Sequence, residues 1–233
     1  MSKKETNVGV VIADIDEYMP FKNHCKDKSI REVSVCHRQG ITVDYENEKS
    51  TVKVTAVCCG VGKVNAAVIT TALCLAGADM IINFGLSGGI SKVAKNDITI
   101  PDMFIEHDFD LTGIGYKLCE KPGQEYIYTA DKSITDILYE VMPFAKTGTA
   151  VSGDCFISDN VKREQLKTNF NAVSCDMETA AIAYSAKACG IPFASFRKIS
   201  DNAGDDSLDS YRQVNLSGDT SLSEYFDLFI EKL

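Results

Sequence analysis

Histidine is scarce in this sequence, and the few that occur are poorly placed for metal chemistry. There are three, His24, His37 and His107. None is spaced from another, or from a cysteine, in the pattern of a zinc site. We therefore expect no metal site, and we expect no cofactor.

Long apolar runs are also missing. No stretch reaches the roughly 18 apolar residues that a membrane-spanning helix needs, and the N-terminal residues show no signal-peptide core. The sequence has nine cysteines, an odd number with no Cys-x-x-Cys, and several lie in apolar runs such as Ala56–Cys59, where a thiol behaves as a small hydrophobic group. These features predict a cytoplasmic, reducing location and no membrane partner.

Positive charge is in deficit. Lysine and arginine total 24 against 33 acidic residues, which gives a formal net charge of −9. Such a chain binds phosphate backbones poorly, so we expect no nucleic-acid partner. The 233 residues are 45% hydrophobic and 24% charged, as in folded globular proteins. No linker, charge block or repeat divides the chain, and we expect a single domain over residues 1–233.

Short apolar runs alternate with helix-like patterns, which predicts an α/β fold around one sheet. The predicted strands are Val8–Ala13, Ile41–Tyr45, Thr51–Cys58, Met80–Phe84, Thr147–Val151, Ala172–Cys175 and Phe193–Ile199, with an extended segment at Asp97–Ile105 that Pro101 interrupts. The predicted helices are Val64–Ala76, Asp131–Met142, one from about Asn160, Glu178–Ala188 and one at the C-terminal end. Turn-prone residues 46–48 join two of the strands as a hairpin, so we expect a mixed sheet.

Ligands of such sheets bind at loops that leave the carboxyl ends of strands. The first such loop, Ala13–Glu17, carries three acids directly after a predicted strand. These acids either lie in solvent at the start of a helix, where the helix dipole favours negative charge, or include a general base. A phosphate at this loop would meet carboxylates and no arginine.

Two further loops are rich in glycine. Cys59–Val64 lacks the spacing of a phosphate-binding Walker loop and the third glycine of a dinucleotide fingerprint. Phe84–Gly89 has three glycines, which leave little side chain to block a ligand. Each loop is either a ligand-binding turn or a place of tight packing.

The fourth junction carries more chemistry. Glu178 follows a predicted strand, and its carboxylate suits bidentate acceptance from a vicinal diol. Asp201 leaves a neighbouring strand, where it can exchange a proton with a heterocycle. Arg197 lies inside an apolar strand, so it needs a carboxylate partner. Arg197 is thus either a structural ion pair, with Glu178 or a nearby acid, or a ligand contact.

In order along the chain, these junctions resemble the nucleoside phosphorylase/nucleosidase family, and within it the hydrolytic branch of methylthioadenosine/S-adenosylhomocysteine nucleosidases. The likeness runs from about Val8 to Tyr211. The motifs that carry it are Gly-Val-Gly-Lys-Val (60–64), Ile-Asn-Phe-Gly-x-x-Gly-Gly (82–89), His-Asp-x-Asp-x-Thr-x-x-Gly-Tyr (107–116), Ser-Gly-Asp-x-Phe-Ile (152–157), Met-Glu-x-x-Ala (177–181) and Arg-x-Ile-Ser-Asp (197–201).

The resemblance implies a single-domain, three-layer fold with a distorted mixed sheet. It also implies hydrolysis of the N-ribosidic bond of a 5′-substituted adenosine, with release of adenine. Glu17 matches the carboxylate that activates the attacking water. Asp201 matches the acid that protonates the purine at N7, supported by Ser200. Each such acid–base role is worth about 10²- to 10⁴-fold in rate.

The same matching assigns contacts to the base and the sugar. Phe156 stacks on the purine, and Ile157 binds it through its backbone. Glu178 grips the ribose hydroxyls, with Met177 beneath the sugar. Arg197 lies near Glu178 and the group that activates water.

The 5′ substituent is expected to meet a largely apolar pocket. Val61, Met177 and Tyr211 line it from one subunit, and Ile114 and Pro122 reach it from a neighbouring subunit. The resemblance therefore predicts a homodimer. It also predicts that the protein binds a small molecule, a purine nucleoside.

The sequence departs from the family pattern at several positions of this site: Asp14, Leu86, Ile114, Asp176 and Tyr211. Leu86 stands where the nucleosidases usually have a serine, so a nucleoside-binding protein with weakened catalysis stays open. A purine nucleoside phosphorylase is the other alternative. Against it, family phosphorylases carry glycine and arginine at the first loop, where this sequence has acids.

Overall fold

The computed structural model of the chain describes residues 4–46, 50–205, 207–215 and 219–233. Within these ranges, eleven strands form one sheet. They are β1 (Lys4–Ile12), β2 (Ile30–Val35), β3 (Arg38–Glu46), β4 (Ser50–Cys58), β5 (Met80–Gly89), β6 (Ile98–Thr99), β7 (Met103–Glu106), β8 (Ile127–Thr129), β9 (Thr149–Ser152), β10 (Ala172–Asp176) and β11 (Phe193–Asp201). The helices are α1 (Ile15–His24), α2 (Lys63–Leu75), α3 (Lys132–Val141), α4 (Asn160–Phe170), α5 (Thr179–Ala188), α6 (Ser207–Asn215) and α7 (Ser221–Ile230), with a 3₁₀ turn at Thr112–Ile114.

The sheet is mixed and branches at β5. Its order is β2-β3-β4-β1-β5-β10-β9-β7-β8, and β11 pairs with both β5 and β6. Strand β5 runs parallel to β1 and β11, whereas its last two residues, Gly88 and Gly89, pair antiparallel with β10. The expected α/β fold with a distorted mixed sheet is confirmed. The branch brings the carboxyl ends of β1, β5 and β11 to one edge of the molecule.

Helices cover both faces of the sheet, because side chains alternate along each strand. In β1, Val10 and Ile12 pack into the core formed with α1, α3 and α7. Val11, between them, packs into the core formed with α2 and α5. The three-layer arrangement is therefore confirmed.

Four phenylalanines fix α1 and α7 against β5. Phe84 of β5 stacks on Phe196 of β11 at 5.3 Å and meets Phe21 of α1 edge-on at 5.4 Å. Phe226 of α7 lies 5.6 Å from Phe21. Such pairs add about 0.5–1.5 kcal/mol each beyond their buried area. They matter for the site because α1 and β5 both contribute to it.

The structure contains four elements that the sequence did not predict, namely α1, β2, β8 and α6. Helix α1 has Pro20 in its interior, which weakens a helical pattern. Its start is nevertheless well capped, since Asp14 Oδ1 accepts the Asp16 N–H at 3.0 Å. Of the predicted connection between β3 and β4, residues 47–49 lie outside the described residues. None of the helices in the described part of the chain combines the length and apolar character that a bilayer span requires.

Candidate active site

A cavity opens at the carboxyl ends of β1, β5, β10 and β11. Among its lining residues are most of those that the sequence predicted for a site: Glu17, Val61, Phe156, Ile157, Met177, Glu178, Arg197, Ser200, Asp201 and Tyr211. We call it the site cavity.

Glu17 projects into the site cavity from the first turn of α1. Its Oε1 accepts the Leu86 N–H at 2.7 Å. Its Oε2 is buried, and no group among the described residues donates a hydrogen bond to it. Burial raises the pKa of Glu17 above its ordinary value, and the Asp14 carboxylate adds to the rise, while Arg197 and the Leu86 N–H oppose it. Glu17 is thus a carboxylate with one tethered oxygen and one unpartnered oxygen.

A glycine makes room for Glu17 beside Arg197. A Cβ at Gly85 would lie 2.6 Å from Glu17 Oε2 and 3.0 Å from Arg197 Nη1. Any side chain there would displace one of the two groups. The glycines of this loop therefore allow two charged side chains to approach the backbone, which is a use of the loop that the sequence argument did not foresee.

Arg197 is buried, with 1% of its surface exposed. Its Nε donates to Ser87 Oγ at 3.0 Å and its Nη1 to Asn83 Oδ1 at 3.1 Å. Its Nη2 donates to the Leu86 carbonyl. The nearest paired acid is Asp176, whose Oδ2 lies 3.9 Å from Nε. Most of the guanidinium is therefore bound by protein groups, which supports the structural alternative for this arginine.

Asp176 serves the start of α5. Its Oδ1 accepts the Glu178 N–H at 3.1 Å, the Thr179 N–H at 3.0 Å and the Ser152 hydroxyl at 2.6 Å. Thr179 Oγ1 contacts the other carboxylate oxygen and shares its one proton between that oxygen and Asn83 Oδ1. This network fixes the turn that presents the next acid, Glu178, to the site cavity.

Glu178 is 4% exposed and is held by the glycine loop that precedes α2. Its Oε1 accepts the Gly62 N–H at 2.8 Å. Burial raises the pKa of Glu178 to about 7, and the nearby Asp176 adds to the rise, whereas Arg197 and the Gly62 N–H lower it. Near neutral pH this carboxyl therefore changes its charge easily.

Asp201 ends β11 and is 2% exposed. The Ser200 hydroxyl donates to its Oδ2 at 2.7 Å, and the Ala203 N–H donates to its Oδ1 at 2.7 Å. A Cβ at Gly88 would lie 3.3 Å from Oδ1 and 3.0 Å from Cys175 Sγ. Both carboxylate oxygens are thus held in place by short, local hydrogen bonds.

Two aromatic rings cross the mouth of the site cavity. Phe156 and Tyr211 meet edge-on with centroids 5.7 Å apart, and the Tyr211 hydroxyl donates to Asp14 Oδ2 at 3.2 Å. The loop of Phe156 is anchored by Asp154, whose Oδ1 accepts the Lys63 N–H at 2.8 Å. Phe156 itself stays 45% exposed, so its face is available to a ligand.

Ile114 and Pro122 do not line the site cavity of their own chain. Ile114 lies in the 3₁₀ turn and is 72% exposed, and Pro122 is exposed on the same long loop. The structure therefore brings together every predicted site residue except these two.

Sequence reasoning missed one organising residue, Asn83. Its buried Oδ1 accepts from Thr179 at 3.1 Å, Ser195 at 3.0 Å and Arg197 at 3.1 Å. The signal was present, since an asparagine inside the apolar run Met80–Phe84 needs buried partners. Across the described ranges, no group of three or more His, Cys, Asp or Glu side chains has the arrangement of a metal site.

Comparison with known proteins is consistent across sequence and structure. Residues 7–225 match the family model described as the Phosphorylase superfamily. The chain is 35% identical over 201 residues to the 5′-methylthioadenosine/S-adenosylhomocysteine nucleosidase of Haemophilus influenzae (strain PittEE), which covers 83% of this chain and 85% of that relative.

Solved structures show the same likeness. The S-adenosylhomocysteine nucleosidase of Streptococcus pyogenes, in complex with 5-methylthiotubericidin, superposes with a TM-score of 0.87 at 28% identity, and covers 100% of this chain and 98% of its own. The native futalosine hydrolase of Helicobacter pylori superposes with a TM-score of 0.89 at 24% identity, covering 98% of each chain. The latter likeness is one of fold.

Proposed function

The chain belongs to the phosphorylase superfamily, and from that membership we propose that it is an N-glycosyl hydrolase that releases adenine from a 5′-substituted adenosine of the methylthioadenosine/S-adenosylhomocysteine type. The observation that carries the proposal is the placement of Glu17 and Asp201 in one cavity. Glu17 lies over Gly85 of β5, and Asp201 pairs with Gly88 of the same strand. Three residues of a strand span roughly 10 Å, so the two acids serve different ends of one small ligand.

Cleavage of an N-ribosidic bond leaves positive charge on the sugar and negative charge on the base. Glu17 acts at the sugar, where its unpartnered Oε2 accepts a proton from the attacking water. Its negative charge also stabilises the oxocarbenium-like sugar in the transition state. The Leu86 N–H holds the other oxygen and so fixes the direction of the carboxylate.

The departing purine needs a proton at N7. A protonated Asp201 donates this proton and is left as a carboxylate, whose two oxygens accept from the Ser200 hydroxyl and the Ala203 N–H. Phe156 stacks on the base at the mouth of the site cavity, with Ile157 beside it. The purine is then held between an acid at its edge and a ring on its face.

The ribose is bound by Glu178. When ionised, its carboxylate accepts hydrogen bonds from the two vicinal hydroxyls, while the Gly62 N–H keeps its Oε1 in position. Met177 follows the same turn and packs against the sugar, and Val61 lines the cavity on the side of the 5′ group.

Water is favoured over phosphate as the nucleophile. A helix N-terminus normally attracts anions, but the start of α1 carries Asp14, Asp16 and Glu17. Arg197 directs its Nε, Nη1 and Nη2 to protein acceptors. A phosphate dianion in the site cavity would thus face carboxylates without a free guanidinium.

A homodimer is part of the proposal. Ile114 is exposed on a loop that leaves its own site cavity, together with Pro122. Helix α2 exposes Val64 and Val68 on the same chain. These exposed apolar groups are candidates for the contact between two copies, and the family resemblance assigns Ile114 and Pro122 to the 5′ pocket of the partner.

The test is release of adenine from 5′-methylthioadenosine in buffer from which phosphate has been removed enzymatically. We expect steady turnover whose rate does not change when phosphate is added back. A strict phosphate requirement would identify a phosphorylase. Tight nucleoside binding without any product would identify a binding protein.

A further inference from the structure

A polar pair, Asp14 and Tyr211, lines the part of the site cavity that the proposed function assigns to the 5′ substituent. The Tyr211 hydroxyl donates to Asp14 Oδ2 at 3.2 Å, although the two residues are 197 positions apart in sequence. Both side chains line the cavity. Burial and the Asp14 carboxylate raise the pKa of Tyr211, so the phenol stays protonated and remains a donor. The pair thus places a carboxylate acceptor against the ligand.

Asp14 has acceptor capacity beyond its structural duties. Its Oδ1 caps α1 by accepting the Asp16 N–H at 3.0 Å, and its Oδ2 accepts from Tyr211. A carboxylate offers about four lone-pair positions. Because Asp14 also lines the site cavity, its remaining acceptor capacity is the basis for binding a ligand donor.

The pair belongs to the sugar side of the cavity. The Gly60 N–H donates to the Ala13 carbonyl at 3.0 Å, which brings the loop of Val61 beside Asp14. The same loop holds Glu178 through the Gly62 N–H. Asp201, at the purine end, is held by separate groups of β11 and the turn that follows it.

We propose that Asp14 selects nucleosides whose 5′ substituent carries a hydrogen-bond donor, either a hydroxyl or an ammonium group, with Tyr211 as its positioning residue. This inference rests on the proposed nucleosidase function. A plain thioether brings no donor and leaves the carboxylate partly desolvated, which costs free energy. An anionic 5′ group meets like charge and is disfavoured.

The experiment measures adenine release from two matched substrate pairs. Adenosine against 5′-deoxyadenosine isolates the hydroxyl, and 5′-(2-aminoethylthio)-5′-deoxyadenosine against 5′-propylthio-5′-deoxyadenosine, which has the same length, isolates the ammonium group. The variant is Asp14→Ser, because serine also caps helices well but is too short to offer a second oxygen to the ligand. We expect the donor/non-donor ratio of kcat/KM to fall about 10- to 100-fold in one pair, as for loss of a hydrogen bond to a charged group. The pair that changes identifies the donor.

Two further variants sharpen the test. Asp16→Ser makes the same charge change two residues away, on a residue that does not line the site cavity. It should leave both ratios within twofold of wild type. Tyr211→Phe keeps the ring against Phe156 and removes only the hydroxyl, so we expect a ratio loss of a few-fold in the same pair.

Unchanged ratios in Asp14→Ser overturn the proposal. If that variant does not fold, unchanged ratios in Tyr211→Phe overturn it instead. A wild-type protein that releases adenine from none of the four substrates overturns the proposed function, which is a different result from activity without discrimination.

Discussion

The proposal assigns one end of the site cavity to the sugar and the other to the purine, and the carboxyl groups at these two ends have opposite surroundings. At the sugar end, Glu17 has one oxygen tethered by the Leu86 N–H and one buried oxygen without a donor among the described residues. At the purine end, both oxygens of Asp201 accept hydrogen bonds, from Ser200 and from the Ala203 N–H. One fold thereby gives two carboxyl groups different environments, as the proposed pair of proton transfers in opposite directions requires.

The two carboxyl groups also differ in how well the protein compensates for their burial. Burying an ionised carboxylate is unfavourable unless charge and hydrogen bonds compensate. At Glu17 that compensation is incomplete, because burial raises its pKa in spite of Arg197. We therefore expect substitutions of Glu17 to change activity more than substitutions of Asp201.

The largest effect is expected for Glu17→Gln. The amide keeps the size of the side chain and an oxygen for the Leu86 N–H, but it cannot take a proton from water. We expect kcat to fall about 10³- to 10⁴-fold. Calorimetric titration with a nucleoside should show binding within a few-fold of wild type.

Equal loss of binding and turnover in Glu17→Gln would contradict the assigned role, because it would indicate that Glu17 is a structural group. Retention of full turnover would contradict it as well. Either result would mean that Glu17 and Asp201 do not have the two different roles that we propose.

Arg197→Met should give the next largest effect, on stability. Removing a buried cation leaves Asp176 and Glu17 without their positive neighbour and leaves Asn83 with one donor fewer. Loss of one partner of a buried ion pair costs about 3–5 kcal/mol in the free energy of unfolding. Urea denaturation measures it, and Arg197→Lys, which keeps the charge, should cost less.

A stability change below about 1 kcal/mol in Arg197→Met would argue that the guanidinium is held for ligand binding and not for the fold. In that case nucleoside affinity should fall while the urea midpoint stays in place. The two measurements together decide between the structural and the ligand-binding alternatives.

A pH effect of middle size is expected at Glu178, whose pKa burial raises to about 7. Only the ionised carboxylate accepts from both ribose hydroxyls, so nucleoside affinity should fall by up to about tenfold per pH unit below that value. Stability should change in the opposite direction. A carboxyl with a raised folded-state pKa stabilises the fold at low pH and loses that contribution as pH rises towards 7.

Glu178→Gln is the control for both trends. The variant should bind nucleoside weakly at every pH. Its unfolding midpoint should decline less than that of wild type between about pH 4.5 and 7, and the decline that is left belongs to other buried carboxyl groups such as Glu17. A wild-type affinity that is flat across this range would show that Glu178 does not grip the sugar.

The smallest effect is expected for Leu86→Ser. The interaction with Glu17 runs through the backbone N–H of residue 86, which the substitution leaves intact. We expect kcat to change by no more than about threefold. A rise of 100-fold or more would instead identify Leu86 as the residue that weakens catalysis, and would support the binding-protein alternative for the natural chain.

Much of this architecture could be predicted from the sequence, because the buried strands are short apolar runs that end in polar or glycine-rich loops. The loops after Val8–Ala13, Met80–Phe84 and Phe193–Ile199 do meet at one cavity. The family resemblance is confirmed by the match over residues 7–225. The individual roles of the site residues stay predictions.

The features that could not be predicted from the sequence depend on contacts between distant segments of the chain. Helix α1 carries a proline in its interior, and its cap becomes evident only from the Asp14–Asp16 hydrogen bond. Asn83 gathers donors from two other elements, α5 and β11. The Asp14–Tyr211 hydrogen bond joins positions 197 residues apart, and no local sequence pattern predicts such a pair.

The division of labour between the two acids is tested most directly by a substrate with an activated leaving group. When 4-nitrophenyl β-D-riboside is cleaved, 4-nitrophenolate leaves as a stable anion without protonation. This substrate therefore depends on Glu17 at the sugar and not on an acid for the leaving group. We predict that Asp201→Asn loses about 10²- to 10³-fold in kcat with a purine nucleoside but stays within a few-fold of wild type with the nitrophenyl riboside, whereas Glu17→Gln fails with both. Equal losses of Asp201→Asn on the two substrates would contradict the assignment of Asp201 as the acid for the departing base.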